Sequence, residues 1–264
     1  MKEWRKSPLA WVCDQVFNIS VVFSWDINKA HLMAYRAMDR GFKVVIGGPA
    51  THKFTEGEEI VTRYNPCATF TSRGCIRQCK FCLVPKLEGG LRELKQWTPR
   101  PVICDNNLLA CSRRHFDKVM DSLKGIEGVD FNQGLDARLL TPHHANRIAE
   151  LDIKMVRVSW DFVGMESKVM SAINMLRENG IPKRKIGVFI LIGFEDTPDD
   201  ALYRLNTIRN MGFYPFPMRY QRLDAVKRND FVGKRWTNRE LIRFSRYWAN
   251  LRLVGKIPFE EFRY

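Results

Sequence analysis

Three cysteines within eight residues are the strongest constraint on what this chain can fold into. Cys75, Cys79 and Cys82 have C-x3-C-x2-C spacing on a short loop. Thiolates are soft ligands that suit iron–sulfur clusters or zinc, and three of them leave one coordination position open. Structural zinc usually takes four protein ligands, and no further cysteine or histidine follows at zinc-finger spacing. A zinc knuckle completed by the distant Cys67 or Cys104 is the alternative.

The segment around these cysteines, residues 71–82, resembles the cluster-binding loop of the radical S-adenosylmethionine (radical SAM) superfamily, with Phe81 directly before the third cysteine. The resemblance implies that Cys75, Cys79 and Cys82 bind a [4Fe-4S] cluster. It also implies that S-adenosyl-L-methionine chelates the open iron through its amino and carboxylate groups, with Phe81 flanking the adenine through its backbone. One-electron reduction by a donor such as flavodoxin or ferredoxin would then give a 5′-deoxyadenosyl radical that abstracts hydrogen from a substrate.

Length and composition favour one α/β domain with additions at its ends. The chain has 264 residues, of which 45% are hydrophobic, and this suffices for one substantial core. No apolar run approaches the roughly 20 residues that span a bilayer, and the N-terminus lacks the apolar stretch of a signal peptide. Seven cysteines, three of them in a ligand motif, indicate a reducing compartment. We therefore expect a cytoplasmic protein without membrane contact.

The charge is strongly unbalanced. The formal net charge is +14 and the sequence pI is about 9.6, with basic clusters at 113–114, 183–185 and 227–228. Such a surface raises the local concentration of polyanions, so a nucleic acid or another anionic substrate is a candidate partner. The alternative is an ordinary basic protein whose lysines and arginines are simply solvated.

Residues 1–66 predict a short βαβ segment. A strand at 18–23, a helix at 27–40 and a strand at 42–46 are followed by a Gly-Gly-Pro turn. This resembles a truncated Rossmann-like remnant of the cobalamin-binding domain that precedes many radical SAM cores. The segment is too short for that whole domain and lacks an Asp-x-His-x-x-Gly motif. We therefore expect no cobalamin.

Residues 67–225 alternate strands and helices, as expected for the partial (β/α)6 TIM-like barrel that the resemblance implies. Polar residues follow or interrupt several predicted strands, where parallel strands usually carry their functional groups. The six predicted strands cover residues 68–71, 101–104, 129–133, 155–162, 186–194 and 217–222.

Two polar groups follow the second and third predicted strands. Asp105, Asn106 and Asn107 match by position the residues that hold the methionyl amino group in the family; a simple Asx turn is the alternative. Arg138 could bind the cofactor carboxylate through two hydrogen bonds, or it could pair with Asp136 instead. The amides Asn132 and Gln133 within the third strand also suggest ligand contact rather than core packing.

The later strands supply four more candidates. A period of two places Ser159 and Asp161 on the polar face of the fourth strand, and the resemblance implies contact with the ribose and carboxylate of the cofactor. Gly193 ends the apolar fifth strand, which matches the adenine-side strand of the family. Arg219 shares a face of the sixth strand with Gln221 and is also a candidate for cofactor binding.

Residues 226–264 predict a helical extension. Thr237 and Glu240 form a capping box, and Leu241, Phe244, Trp248 and Leu251 form an apolar stripe among arginines. Such a stripe is typical of a helix that covers a core, here an open barrel. Contact with nucleic acid is the alternative.

The remaining cysteines show no second ligand spacing, although one of them could act as a methyl or hydrogen-atom relay. These are Cys13, Cys67, Cys104 and Cys111.

Taken together, the sequence predicts a radical SAM enzyme whose substrate is unidentified. The basic surface favours a nucleic acid or nucleotide as that substrate. One alternative is a radical SAM enzyme that modifies a peptide or small metabolite. Another, from a different class, is a zinc-stabilised nucleic-acid-binding module without catalysis. Polar residues facing the barrel on several strands argue against the binding module, which would have no use for a lined cavity.

Overall fold

The N-terminal residues form a small three-stranded sheet with two helices. The computed structural model describes residues 4–51, 58–222, 224–250, 254 and 256–263. Its first elements are β1 (Leu9–Cys13), β2 (Val16–Ser20), α1 (Ile27–Met38), β3 (Lys43–Gly47) and α2 (Glu58–Tyr64). The strand order is β1-β2-β3, with β2 and β3 parallel and β1 antiparallel to β2.

The predicted strand–helix–strand unit is confirmed as β2, α1 and β3, with the first strand ending earlier than expected. The β1–β2 hairpin is an addition that the sequence did not reveal. Its turn residues, Asp14 and Gln15, both have positive φ angles of 48° and 62°, as a two-residue type I′ turn requires. Because neither residue is glycine or asparagine, the usual sequence signal for this turn is missing.

A second sheet follows, with strands and helices that alternate along the chain. The elements after α2 are β4 (Ala68–Thr69), β5 (Ser72–Arg73), α3 (Val84–Leu87), β6 (Arg92–Glu93), β7 (Val102–Ile103), α4 (Arg113–Leu123), β8 (Val129–Phe131), α5 (Pro142–Ala149), β9 (Ile153–Trp160), α6 (Glu166–Glu178), β10 (Ile186–Ile192), α7 (Pro198–Asn210), β11 (Tyr214–Arg219) and α8 (Asn238–Trp248). In the described part of the chain the six strands of this sheet are all parallel and lie in the order β11-β10-β9-β8-β7-β4, which is sequence order reversed.

The two faces of this sheet differ, and β9 shows how. Val156, Val158 and Trp160 are completely buried in the main core with residues of α4, α6 and α7, whereas Ser159 on the opposite face lines a cavity. The predicted period-two alternation of this strand is therefore confirmed. β10 is apolar and almost wholly buried, as strands of a parallel sheet between covering layers usually are.

Capping residues set where two of the helices begin. Thr197 begins α7 with a reciprocal capping box to Asp200, and Thr237 begins α8 in the same way with Glu240. Leu241 of α8 packs against the turn after β10, where a side chain at Gly193 would approach its Cδ2 atom to 2.7 Å. The predicted stripe of α8 is buried at Leu241, Phe244 and Trp248, while Leu251 lies outside the described residues.

None of the helices in the described ranges combines the length and the apolar character that crossing a lipid bilayer requires. The carboxyl ends of the six parallel strands meet at one edge of the sheet. The loop after β4 and the polar segments after β7, β8 and β9 therefore lie together there.

Candidate functional site

The three motif cysteines line one cavity of about 370 Å³ at the carboxyl edge of the parallel sheet. We call it the cysteine cavity. Cys75, Cys79 and Cys82 contribute to its wall together with Phe81 and side chains from β9, β10 and β11. The sequence separates these residues widely, and the parallel topology brings them together.

The loop that carries the cysteines is held by a tight backbone arrangement. Gly74, which precedes the first cysteine, has φ of +75°, and a Cβ atom there would lie 2.1 Å from the Gly90 carbonyl oxygen. Only glycine fits this position. The amide of Cys75 donates to the Gly89 carbonyl at 3.2 Å, and the amide of Cys82 donates to the Cys79 carbonyl at 3.0 Å.

Glu88 fixes the base of this loop and was missed by the sequence analysis. Its Oε1 accepts from Arg73 Nη2 at 2.7 Å, and its Oε2 accepts from the Gly74 amide at 3.0 Å and from Asn106 Nδ2 at 2.6 Å. The Arg73–Glu88 ion pair is nearly buried. One carboxylate thus connects the cysteine loop with the segment after β7, a long-range contact that no local pattern reveals.

Asn107 contacts the first cysteine directly. Its Nδ2 donates to Cys75 Sγ at 3.4 Å, and the Arg77 amide donates to the same sulfur at 3.3 Å. Its Oδ1 is buried and accepts no hydrogen bond from any described residue. Such an atom costs about 1–3 kcal/mol, which a donor on a bound group would offset.

The other two thiols interact electrostatically within the same site. Burial raises the pKa of Cys79, and the nearby Arg138 guanidinium partly opposes this shift. Burial likewise raises the pKa of Cys82, which is raised further by the Cys79 and Cys75 sulfurs. Without a bound cation these two thiols stay protonated at neutral pH, so metal binding releases protons.

No three histidine, cysteine, aspartate or glutamate side chains converge on a point that could hold a single metal ion, as far as the described residues extend. The two cysteines considered for completing a zinc knuckle lie elsewhere. Cys104 is buried and faces a different cavity, and Cys67 packs beside a small cluster of buried residues around Val102. The possible donors on the wall of the cysteine cavity are the three thiols and the Asp136 and Asp161 carboxylates, with the amide of Asn107 beside Cys75.

Arg138 lines the cysteine cavity, but it also makes the alternative pairing with Asp136. Arg138 Nε and Nη2 donate to the two Asp136 carboxylate oxygens at 2.6 and 3.0 Å, and Arg77 Nε donates to Oδ2 at 3.0 Å. Burial alone would raise the pKa of Asp136, but these hydrogen bonds and the Arg138 charge hold it below its usual range. Asp136 thereby stays ionised and orients Arg138 at the cavity wall.

Ser159 and Asp161 also line the cysteine cavity, as predicted. Burial raises the pKa of Asp161 to about 6, against the opposing charge of Arg138. Gly134 approaches so closely that a Cβ atom there would lie 2.5 Å from Ser159 Oγ. The end of β9 therefore offers a hydroxyl and a carboxylate that titrates near neutrality.

Asp105 has a different role from the one predicted. It is buried, and its carboxylate accepts from the Thr71 amide at 2.8 Å and from the Thr71 and Ser72 hydroxyls at 2.6 Å. Burial raises its pKa in spite of these hydrogen bonds. Asp105 does not line the cysteine cavity but anchors the strand that leads into the cysteine loop.

Gly193 and Arg219 also lie outside the cysteine cavity. The Gly193 amide donates to Asp196 Oδ1 at 2.9 Å in the turn that packs on α8. Arg219 Nη2 donates to the Asn229 and Phe231 carbonyls at 2.7 and 3.1 Å and holds the segment after β11. Since β11 alternates, its neighbour Met218 lines the cavity instead.

A second cavity of about 490 Å³ lies between the N-terminal unit, which comprises residues 4–51 and 58–64 with β1 to β3, α1 and α2, and the cysteine loop. We call it the outer cavity. Asn106 and Gln133 border both this cavity and the cysteine cavity. Gln133, which was predicted to lie within the third strand, follows the end of β8 at Phe131 and lies where the two cavities meet. A third cavity of about 570 Å³ shares Cys79, Phe81 and Asp161 with the cysteine cavity and is bordered by Phe162.

No protein-family model matches the chain, and no curated protein matches it.

Proposed function

We propose that this chain is a radical SAM enzyme, which holds a [4Fe-4S] cluster on Cys75, Cys79 and Cys82 and cleaves S-adenosyl-L-methionine reductively. The observation that carries the proposal is that all three cysteines line one cavity at the carboxyl edge of a parallel sheet. That edge is where α/β proteins place their active sites.

The donor set suits a cluster better than a single ion. Thiolates are the usual ligands of iron–sulfur clusters, and each can bind a different iron, so the three sulfurs need not meet at one point. Four-coordinate zinc needs its donors about 2.0–2.3 Å from one ion, and neither Cys67 nor Cys104 lines the cysteine cavity. The hydrogen bond from Asn107 to Cys75 Sγ is of the kind that tunes cluster potentials.

When bound, the cluster would supply the electron that cleaves S-adenosyl-L-methionine to methionine and a 5′-deoxyadenosyl radical. The residues that line the cavity would bind and orient S-adenosyl-L-methionine. Asn107 offers its unpaired Oδ1 to an ammonium donor, and Arg138, oriented by Asp136, offers positive charge to a carboxylate. Ser159 and Asp161 offer oxygen atoms to hydroxyl donors.

The fold is proposed to be a partial (β/α)6 barrel. Six parallel strands in sequence order support it, because that order is what a barrel produces. The buried face of β9 lies against the helices and the opposite face borders the cysteine cavity, as in a barrel with helices outside and a site inside. β4 and β11, the outer strands, are not paired with each other in the described structure, so the sheet is open.

An external electron donor is part of the proposal. Lys80 is exposed beside Cys79, and the neighbouring Ile76 is also exposed. The loop that would carry the cluster thus reaches the surface, where a small redox protein such as flavodoxin or ferredoxin could approach.

The test is anaerobic reconstitution with iron and sulfide, followed by an assay for 5′-deoxyadenosine with S-adenosyl-L-methionine and dithionite. We expect about four irons per chain and release of 5′-deoxyadenosine. Cys79→Ala should lose both, because it removes a ligand. Cys13→Ala should retain both, since Cys13 is exposed and lies outside the cysteine cavity.

Two results would contradict the proposal. One is tight zinc binding by the purified chain together with failure to assemble a cluster, which would favour the zinc-stabilised binding module. The other is 5′-deoxyadenosine formation by Cys79→Ala at the rate of the unmodified chain.

A further inference from the structure

The outer cavity adjoins the cysteine cavity but is lined mainly by other elements of the fold. Its outer wall comes from the N-terminal unit, including α2, and its inner end comes from the segments after β7 and β8. At about 490 Å³ it falls in the range of small-molecule sites. The function proposed above uses only the cysteine cavity, so this second cavity has no assigned ligand.

Aromatic side chains stand at the outer part of this cavity. Trp4 and Phe23 line it and are each 44% exposed. Phe23 stacks on Trp25 with ring centroids 4.6 Å apart and planes 8° from parallel, which holds its ring in a fixed orientation. Phe70 and Tyr64 extend the aromatic lining inward. Exposed, pre-oriented aromatic rings are the platforms on which proteins stack unpaired bases.

Two carboxamides stand at the inner end, where the outer cavity meets the cysteine cavity. Asn106 is oriented by the 2.6 Å hydrogen bond from its Nδ2 to Glu88, and Gln133 is exposed to the cavity. A carboxamide carries a donor and an acceptor side by side. That pairing matches the edge of a nucleobase, which Asn and Gln recognise through paired hydrogen bonds.

Positive charge lies at the entrance. Arg5 lines the outer cavity and Lys6 follows it, both exposed. The charge is not uniform, because the Glu88 carboxylate also lines the cavity, where it pairs with Arg73 at 2.7 Å. The whole chain carries +14, so a ligand with phosphate groups is favoured over a neutral or cationic one.

We propose that the outer cavity binds a single unstacked nucleobase that carries phosphate, and that this base is the substrate of the proposed enzyme. The base lies against Trp4 and Phe23, and its hydrogen-bonding edge points toward Asn106 and Gln133, next to the cysteine cavity. The substrate role rests on the proposed function, whereas binding of the base depends only on the outer cavity. The base belongs either to a single-stranded nucleic acid or to a free nucleotide.

The experiment measures binding by fluorescence anisotropy. The probe is a short fluorescein-labelled single-stranded oligonucleotide, and the protein is the reconstituted full chain. Competitors are the unlabelled oligonucleotide, an abasic oligonucleotide of the same length, and the nucleoside monophosphates. Variants are Trp4→Ala, Phe23→Ala and Gln133→Ala. Tyr35→Ala is the matched control, because Tyr35 is 66% exposed on α1 and does not line the cavity.

We expect Trp4→Ala and Phe23→Ala each to raise the dissociation constant about tenfold, and Tyr35→Ala to leave it unchanged. The abasic competitor should be at least about tenfold weaker than the oligonucleotide with bases. Gln133→Ala should weaken binding and reduce discrimination among the monophosphates, since it removes a hydrogen-bonding group. Circular dichroism of each variant shows whether it folds.

The two sources of the base give different results. Monophosphates that compete as well as the oligonucleotide identify a free nucleotide. Much tighter binding of the oligonucleotide, falling steeply with salt, identifies a nucleic acid. Equal competition by the abasic oligonucleotide, or unchanged binding by all three variants, overturns the proposal. So does loss of binding on Phe162→Ala alone, which would place the ligand in the third cavity.

Iron and sulfide contents of the same preparations separate this inference from the proposed function. Base binding with the expected variant pattern in a chain that takes up no cluster would leave the base site standing and refute the enzyme. A normal cluster, together with oligonucleotide binding that is the same with and without bases, would refute the base site alone.

Discussion

Single residues beside the three cysteines would set the properties of a bound cluster, and Asn107 is the most informative of them. It is the only predicted member of the 105–107 triplet whose side chain meets a motif sulfur among the described contacts. Asp105 and Asn106, its neighbours in sequence, are instead used to anchor the loop and to bind Glu88. Three consecutive polar residues thus have three different roles, set by the direction in which each side chain leaves the backbone.

Asn107→Ala is expected to make the reduction potential of the reconstituted protein more negative. A hydrogen bond to a ligand sulfur stabilises the reduced, more negatively charged state, so removing the 3.4 Å contact to Cys75 disfavours reduction. Spectroelectrochemical titration measures the shift. Asn179→Ala, at the end of α6, should leave the potential unchanged, and an equal potential in both variants would show that the contact has no influence.

Asp161→Asn is expected to stabilise the cluster-free protein at pH 7 by about 1–3 kcal/mol. Burial raises the pKa of Asp161 from 3.8 to about 6, so the folded state holds its proton more tightly than the unfolded state. The free energy of unfolding therefore falls as the pH rises from 3.8 to about 6, and the destabilisation by the ionised carboxylate remains above pH 6.

Urea unfolding of cluster-free protein below and above this window checks the Asp161 prediction. The variant should show a smaller loss of stability than the unmodified chain as the pH rises. Asp39→Asn, an exposed substitution at the end of α1, serves as the control. A pH profile of Asp161→Asn that parallels the unmodified one would contradict the assignment.

At the scale of elements, the cysteine loop depends on the β5–β6 pairing and on Gly74 within it. Ser72 and Arg73 pair with Glu93 and Arg92, which closes the loop around the cysteines. Gly74→Ala should destabilise the protein by at least about 1 kcal/mol more than Gly89→Ala and lower its iron content. Both glycines have positive φ, but only Gly74 is in close contact with backbone.

Chemical denaturation and iron analysis of the two glycine variants provide the measurement. Gly89, with φ of +71° and open space around its Cα, controls for the strain of a left-handed residue alone. Equal stability and equal iron content in the two variants would mean that the 2.1 Å approach of Gly74 to Gly90 relaxes without affecting the loop.

The connection between α7 and the end of β9 depends on a buried ion pair. Arg204 is fully buried and donates to Asp196 Oδ2 at 2.6 Å and to the Trp160 and Asp161 carbonyls at 2.9 and 3.1 Å. Trp236 joins the same carboxylate from the segment before α8. These contacts hold the β9 terminus, which carries Asp161, against two later elements.

Arg204→Met should lower the free energy of unfolding by about 3–5 kcal/mol, because it leaves Asp196 as a buried charge without its partner. Arg177→Met, on the exposed side of α6, should change it by less than about 0.5 kcal/mol. Urea denaturation of both variants measures the change in the free energy of unfolding. Similar midpoints would show that Trp236 and the backbone amides alone satisfy Asp196.

At the scale of the whole molecule, local signals predicted the six strands of the larger sheet but not the β1–β2 hairpin, and the topology decided which residues meet. The alternation of strands and helices, the Thr197 and Thr237 caps and the two faces of β9 were all readable from periodicity and capping residues. Glu88 was not, because its partners come from two segments on either side of it. Arg219 does not line the cysteine cavity, because its guanidinium binds the Asn229 and Phe231 carbonyls after β11, contacts that no local pattern predicts.

The N-terminal unit shows the same division between local and long-range information. Its βαβ pattern was predicted, but the outer cavity depends on how the unit sits against the larger sheet. Within the unit, the Arg5 amide donates to the Tyr64 carbonyl at 2.9 Å. Outside it, Ser24 Oγ donates at 2.6 Å to the carbonyl of Ala225, in the segment after β11. These contacts position Trp4 and Phe23 beside the cysteine loop, a juxtaposition that sequence periodicity does not contain.

The central claim is that three cysteines hold a cluster whose remaining iron accepts S-adenosyl-L-methionine. Electron paramagnetic resonance of the dithionite-reduced, reconstituted protein tests it most directly, with spectra recorded before and after the cofactor is added. We predict a reduced [4Fe-4S] signal whose g values shift on addition, because the cofactor becomes a ligand of the open iron. A cluster signal that is identical with and without S-adenosyl-L-methionine would contradict the account.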